Sequence, residues 1–182
     1  MKNIIIGLVL MLPLLLAGPA QAAGELIGGQ LDFKGVVVAI PCSIAPESES
    51  APVDFGKIST RDLYHSEKSE PIAFTLKLQD CNPQLASTVT VTFSGSENPN
   101  LKDHLAIKPS TSNGASGIGI GLLEEDNTPI QLGVATLPVT LKSGMMQLNF
   151  KAFVAAEPEA LSKETLTTGP FTATANYILN YQ

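Results

Sequence analysis

The last fourteen residues of the chain constrain its fold more than any other stretch. Apolar side chains fall on alternate positions between Gly169 and Gln182, and the residues between them are mostly threonine and asparagine. This period of two predicts a β-strand with one apolar and one polar face. Such an uncharged strand either lies between earlier strands or presents an open edge that can pair with another molecule. The alternating apolar residues are Phe171, Ala173, Ala175, Tyr177, Leu179 and Tyr181.

The chain opens with the features of a secretory signal peptide. Lys2 precedes an almost wholly apolar run over residues 4–16, and Ala20 and Ala22 place small residues where a signal peptidase cleaves. We therefore expect residues 1–22 to be removed on export, and no later stretch to insert in a membrane as a helix. The exported part would carry ten basic and seventeen acidic side chains, a net charge of −7. This balance argues against nucleic acid or an anionic membrane as a partner.

The chain contains two cysteines, Cys42 and Cys81. The secretory signal would send them to an oxidising compartment, where a disulfide is the expected state. A thiol nucleophile with a histidine base is the alternative, but His65 and His104 lie in polar, loop-like surroundings. The sequence therefore predicts a disulfide.

A second alternating pattern lies between the signal and the first cysteine. Ile27, Gly29, Leu31 and Phe33 share one face of a predicted strand, and polar side chains share the other. A frayed leader is the alternative for residues 23–33, although leaders seldom carry three large apolar side chains in register. The pattern therefore favours a strand at the exported N-terminus.

Short apolar runs separated by turn residues fill the rest of the chain. Residues 43–52 are rich in serine, glutamate and proline and are interpreted as an exposed loop, and residues 53–56 as a short strand after it. Residues 36–40 are apolar on both faces, which predicts a buried strand ended by Pro41. Residues 72–78 and 89–93 alternate apolar with polar side chains, and residues 132–141 form another apolar run. We count eight to ten short strands and no convincing helix after the signal. The sequence predicts an all-β sandwich of immunoglobulin-like type.

The sequence offers little that would support catalysis. Gly117, Gly119 and Gly121 lack the spacing of a dinucleotide-binding fingerprint. No cysteine or histidine set has the spacing of a metal site, and there is no nucleophile elbow. The absence of tryptophan weakens an interpretation as a sugar-stacking lectin. We predict a protein that is not an enzyme and that uses no cofactor or metal.

Four stretches and the chain end form a further set of motifs. They are residues 29–37 (GQLDFKGVV), 53–56 (VDFG), 74–81 (FTLKLQDC) and 91–95 (VTFSG), followed by an ending with Gly169 fourteenth from the C-terminus and Tyr181 next to last. Together, in this order, they resemble the pilin subunits of chaperone–usher fimbriae, most closely the type 1 pilin-like group. The resemblance covers essentially the whole exported chain. It departs from several family members at residues 157–164, which are charged here and alanine-rich there.

The resemblance implies an incomplete immunoglobulin-like sandwich that lacks its last strand and has a hydrophobic groove along its C-terminal strand. In that family a periplasmic chaperone lends a strand to the groove. An outer-membrane usher then exchanges this strand for the N-terminal extension of the next subunit. By this resemblance the extension is residues 23–35 and the pilin domain is residues 36–182. The implied donor face is Ile27, Gly29, Leu31 and Phe33, and the implied groove and chaperone-pairing strand is Gly169, Phe171, Ala173, Ala175, Tyr177, Leu179 and Tyr181.

The resulting hypothesis is a structural subunit of a surface fimbria that contributes to cell adhesion. It would be exported through the periplasm, and its partners would be the chaperone, the usher and neighbouring pilin subunits. The alternative is a self-contained secreted β-sandwich that binds a carbohydrate or a protein. The two differ over residues 23–33, because a complete sandwich has no use for an extra N-terminal strand. Adjacent glycines, Gly28 and Gly29, leave the donor register open by two residues.

Overall fold

The computed structural model describes residues 28–182. Residues 28–37 belong to one unit and residues 38–182 to a second. In the first unit, residues 28–37 are exposed, and they contain no helix or strand. The predicted signal peptide and Ile27 lie outside the described residues.

The second unit consists mainly of short β-strands, as the sequence predicted. Its strands are β1 (Ser43–Ile44), β2 (Ile72–Cys81), β3 (Thr88–Gly95), β4 (Glu97–Asn98), β5 (Leu101–Ala106), β6 (Lys108–Pro109), β7 (Ile118–Glu124), β8 (Pro129–Ile130), β9 (Val139–Thr140), β10 (Gly144–Ala156), β11 (Phe171–Thr172) and β12 (Ala175–Tyr181). Its helices are α1 (Pro46–Glu49), α2 (Thr60–Ser66) and α3 (Pro158–Ser162).

These strands form two main antiparallel sheets. The larger has the order β1-β2-β10-β7-β5-β4, with β8 added beside β7. The smaller has the order β12-β3-β9, and β11 pairs separately with β6. The larger sheet therefore begins at β1 and the smaller one at β12, and both of these are edge strands.

The hydrophobic core lies between the two sheets. Phe93 on β3 meets Phe150 on β10 edge-to-face, with ring centroids 5.1 Å apart, and the Phe74 ring on β2 lies 5.7 Å from the Phe150 ring. Val89 and Val91 of β3 are almost completely buried beside them. The strands predicted at residues 72–78 and 89–93 are thus confirmed as β2 and β3, because their apolar alternation matches one buried face.

Cys42 and Cys81 are joined by a disulfide, as predicted. Both half-cystines are buried. Cys42 directly precedes β1 and Cys81 ends β2, so the bond holds the start of the domain against its second strand. The pairing of Ser43 with Gln79 continues this connection along the backbone.

Three strand predictions were wrong. Residues 53–56 form no strand. Residues 36–40 form no strand, and their apolar side chains are exposed, because no described strand pairs with them. Residues 132–141 give only the two-residue β9, although the Thr136 N–H donates to the Val91 carbonyl and the Leu141 N–H to the Ser87 carbonyl. Pro138 lies within this run and has no N–H to contribute to a ladder.

The sequence predicted no convincing helix after the signal, and the described residues contain three short ones. Each buries one side chain, Ser48 in α1, Leu63 in α2 and Ala160 in α3. One buried position gives no helical period, so an apolar pattern could not reveal them. Among residues 28–182, none of the helices has the length and hydrophobicity to cross a membrane.

Candidate strand-binding groove

The C-terminal strand has an open edge. β12 pairs with β3 over seven residues, from Ala175 opposite Gly95 to Tyr181 opposite Val89. Within residues 28–182 no strand pairs with its other side. Backbone N–H and C=O groups on that side are therefore free to pair with an added strand.

A groove of about 740 Å³ opens beside this edge. Residues 169–177 form one side, which we call the C-terminal lip, and residues 49–56 form the other, the N-terminal lip. The floor consists of apolar core side chains from both sheets. These are Phe74, Leu76, Phe93, Leu105, Ile120, Leu122 and Ala152.

The residues predicted to line the groove divide into two groups. Leu179 and Tyr181 lie on β12 beyond the cavity, where they are half-buried and pack against the core. The other five lie along the cavity, and they are Gly169, Phe171, Ala173, Ala175 and Tyr177. The predicted C-terminal strand is interrupted, because Phe171 pairs with Pro109 of β6 before β12 begins.

Gly169 begins the C-terminal lip in a conformation that only glycine adopts easily. Its φ is +145°, and an added Cβ would overlap the backbone of Asn113 and Gly114, with the Gly114 Cα only 2.8 Å away. Real Cβ atoms essentially never approach backbone so closely. The lip therefore depends on a glycine at this position to lie against the turn at residues 111–114.

Two tyrosine hydroxyls reach from β12 towards the start of the domain. The Tyr177 hydroxyl donates to the Ser48 carbonyl oxygen at 2.6 Å, and the Tyr181 hydroxyl to the Cys42 carbonyl oxygen at 3.5 Å. Burial raises the pKa of Tyr177, and the nearby Glu49 carboxylate raises it further. Burial also raises the pKa of Tyr181. Both phenols therefore stay protonated and remain donors at neutral pH.

The N-terminal lip was not predicted from the pattern of apolar residues. Its residues were interpreted as an exposed loop followed by a short strand, but no strand forms there. Asp54 accepts a hydrogen bond from the Gly56 N–H at 2.8 Å, and Gly56 has a φ of +61°. The Phe55 ring lies 6.4 Å from the Phe171 ring of the opposite lip. The only signal for this lip was the short VDFG stretch noted in the resemblance.

The predicted donor residues lie in the separate N-terminal unit. Leu31 is 80% exposed and Phe33 89% exposed, and nothing lies within 4 Å of the position of a Cβ on Gly29. Six of the thirteen large apolar side chains exposed among the described residues fall between residues 31 and 40. This short segment therefore carries far more uncovered apolar surface than its length would suggest.

The groove contains few charged side chains. In the part of the chain that the structure describes, no three histidine, cysteine or acidic side chains come together as a metal site would require. The charged residues that line the cavity are Glu49 and Asp54. The chemistry available here is apolar contact and backbone pairing.

A protein-family model described as "Fimbrial protein" matches residues 31–182. The chain belongs to this family. PmfF of Proteus mirabilis strain HI4320, whose name assigns it to the minor fimbrial subunits, is 39% identical to this fimbrial protein over the full length of both chains. The Fimbria A protein of Serratia marcescens is 38% identical over 85% of this chain and 84% of its own.

Solved structures agree with this family assignment. The P pilus rod subunit PapA superposes with a TM-score of 0.67 at 26% identity, covering 79% of this fimbrial protein and all of PapA. A subunit of a chaperone–usher pilus gives a TM-score of 0.65 at 27% identity, covering 86% and 97% of the two chains. The resemblance noted from the sequence is confirmed, as is the prediction of an immunoglobulin-like sandwich that lacks its last strand.

Proposed function

We propose that this fimbrial protein polymerises by donor-strand exchange, with the extension of one subunit completing the sandwich of the next. The chain is a structural subunit of a surface fimbria, as its family and its structural relatives support. The single observation that carries the mechanism is the open edge of β12 beside an apolar groove. An unpaired strand edge over an apolar floor is the arrangement that β-strand addition requires.

The proposed donor is the alternating face of residues 23–35, of which residues 28–35 are described and exposed. Ile27, Leu31 and Phe33 would enter the groove, while Gly29 would let the backbone approach closely. Burying three large apolar side chains contributes about 5–9 kcal/mol gross, at about 1.5–3 kcal/mol each. Hydrogen bonds to the free edge of β12 would add to this and would fix the register.

We further propose that a periplasmic chaperone occupies the groove before assembly and that an outer-membrane usher catalyses the exchange. An apolar groove and an open strand edge would promote aggregation during export if nothing covered them. A chaperone strand would pair with the same edge of β12 and contact the same floor. The proposed site residues are therefore shared by the chaperone and by the neighbouring subunit.

The donor assignment can be tested with two matched variants. Leu31→Asp puts a carboxylate on the apolar face of the extension, and Gln30→Asp puts the same charge one position away on the polar face. With Leu31→Asp, we expect SDS-resistant polymers on unheated gels and fimbriae in electron micrographs to be lost. Gln30→Asp should polymerise as the wild type does. Normal polymer from Leu31→Asp, or from a chain lacking residues 23–33, would exclude this extension as the donor.

A further inference from the structure

The edges of the two sheets are linked across the gap that the missing strand leaves. Tyr177 lies on β12, the edge of the smaller sheet, and its hydroxyl donates at 2.6 Å to the Ser48 carbonyl in α1. α1 directly follows β1, the edge strand of the larger sheet. A second link, from the Tyr181 hydroxyl to the Cys42 carbonyl just before β1, is much longer at 3.5 Å, so the Tyr177 hydrogen bond is the stronger connection between the two edges.

The acceptor of this hydrogen bond is held firmly in place. The Ser48 side chain is buried, and its hydroxyl oxygen accepts from the Lys77 N–H of β2 at 2.9 Å. The Ala45 N–H donates to the Lys77 carbonyl at 3.0 Å. The Lys77 side chain also forms a salt bridge with Glu47, with Nζ 3.2 Å from Oε1. The carbonyl that Tyr177 contacts is therefore fixed to the larger sheet through several bonds.

An inserted strand requires a defined separation of the two edges. A strand paired on both sides needs neighbours at about 4.7–4.9 Å, which is a gap of about 9–10 Å. The Tyr177 side chain and its hydrogen bond limit how far the two edges can close or separate. Tyr177 is half-buried, so its ring lies towards the core and leaves the backbone edge of β12 free.

We propose that Tyr177 is a positioning residue that holds the empty groove at the width of one strand. This inference rests on the function proposed above. With the hydroxyl bonded to Ser48, the two edges neither close over the apolar floor nor separate from each other. The first incoming strand, which in the proposed pathway is the chaperone's, then meets an edge already at pairing distance, and less ordering is needed during association. Once the strand is in place, its own backbone hydrogen bonds hold both edges, and the tyrosine link becomes redundant.

The proposal predicts an effect on association and none on dissociation. The experiment uses the exported chain, residues 23–182, at submicromolar concentration, with a fluorescent synthetic peptide of residues 23–35 as the added strand. Loss of one neutral hydrogen bond corresponds to about a 2- to 12-fold change. We expect Tyr177→Phe to lower the association rate constant by about this factor and to leave the dissociation rate constant within about twofold of the wild type.

Tyr64→Phe is the matched control. The Tyr64 hydroxyl accepts a hydrogen bond from the Leu166 N–H at 3.3 Å, and neither residue lines the groove. This variant should change neither rate constant. Should Tyr177→Phe not fold, Ser48→Ala tests the link from its other end. It removes the oxygen that accepts from Lys77, which loosens the carbonyl, and it should slow association in the same way.

The possible results separate this inference from the function on which it rests. If the peptide does not bind the wild-type chain, the donor-strand mechanism fails and this role for Tyr177 fails with it. If the peptide binds the wild type, and Tyr177→Phe associates as fast or faster, the positioning role alone is overturned. If dissociation accelerates while association is unchanged, the hydroxyl stabilises the filled groove and does not prepare the empty one, which also overturns the proposal.

Discussion

Replacing Gly169 with alanine should destabilise the domain through two separable effects. The φ of +145° lies where side chains are disfavoured, which costs about 1–3 kcal/mol. The added Cβ would also overlap the backbone of Asn113 and Gly114, including the Gly114 Cα at 2.8 Å. Backbone atoms cannot turn aside as a flexible side chain can. We therefore expect Gly169→Ala to lower the free energy of unfolding by about 2–4 kcal/mol in total.

Gly133→Ala separates backbone strain from overlap. Gly133 also has a positive φ, +78°, but nothing lies within 4 Å of the position of its Cβ. Gly133→Ala should lower the free energy of unfolding by only about 1–2 kcal/mol, which is the cost of holding a residue with a side chain in a left-handed conformation. The assay is urea unfolding of the disulfide-intact domain, with the midpoint compared at constant slope. Equal losses for the two variants would refute the argument that Gly169 is required by the close approach of the turn at residues 111–114.

Three further predictions follow from the same contacts. Reducing the Cys42–Cys81 bond, or replacing Cys42 with serine, should lower the free energy of unfolding by about 4 kcal/mol. The disulfide closes a long loop, with a sequence separation of 39, and so restricts the unfolded chain. Urea midpoints with and without reductant measure this loss. Leu179→Asp should cost about 2–3 kcal/mol by placing a charge against the core, whereas Ile178→Asp on the exposed face of the same strand should cost under about 1 kcal/mol. The raised pKa of Tyr177 stabilises the fold below its ordinary value near 10, and this contribution is lost as the pH rises through the raised pKa. Unfolding free energies measured above pH 9 should therefore fall less steeply in Tyr177→Phe than in the wild type.

β2 and β3 could be predicted because their apolar residues alternate. Leu76, Leu78, Val89 and Val91 alternate with polar residues along these strands and are all buried, although Thr90 between the two valines is buried as well. The disulfide could also be predicted from the sequence, because two cysteines in an exported chain leave only one possible pairing. These features depend on local periodicity or on simple counting, which a single sequence contains.

The N-terminal lip of the groove had no comparable signal. Its residues 49–56 form no strand, and they meet the C-terminal lip through contacts distant in sequence, such as Phe55 with Phe171. The hydrogen bond between Tyr177 and Ser48 joins residues 129 positions apart. Nothing in the spacing of either segment indicates that they lie on opposite sides of one gap. The split between β11 and β12 was missed for the same reason, because it depends on the pairing of Phe171 with Pro109.

Residues 36–40 show that an apolar run does not by itself predict a buried strand. Five consecutive apolar residues predicted a buried strand, yet Val36, Val37, Val38 and Ile40 are all more than 60% exposed. Hydrophobicity indicates that a segment is to be covered, but it does not say which molecule covers it. In a chain whose sandwich lacks a strand, the cover need not come from the same molecule.

Because the sandwich is incomplete, filling its groove would both assemble the polymer and stabilise the subunit that receives the strand. In the proposed mechanism the donor strand binds the folded domain and not the unfolded chain, so every filled groove adds the binding free energy to the stability of the subunit that receives it. The exposed extension and the empty groove each leave apolar surface uncovered in a single chain. Polymerisation would cover both surfaces at once, with one chain as donor and the next as acceptor. In the proposed mechanism the contact is heterologous, because the donating and accepting surfaces differ, and a heterologous contact that does not close on itself continues as a filament.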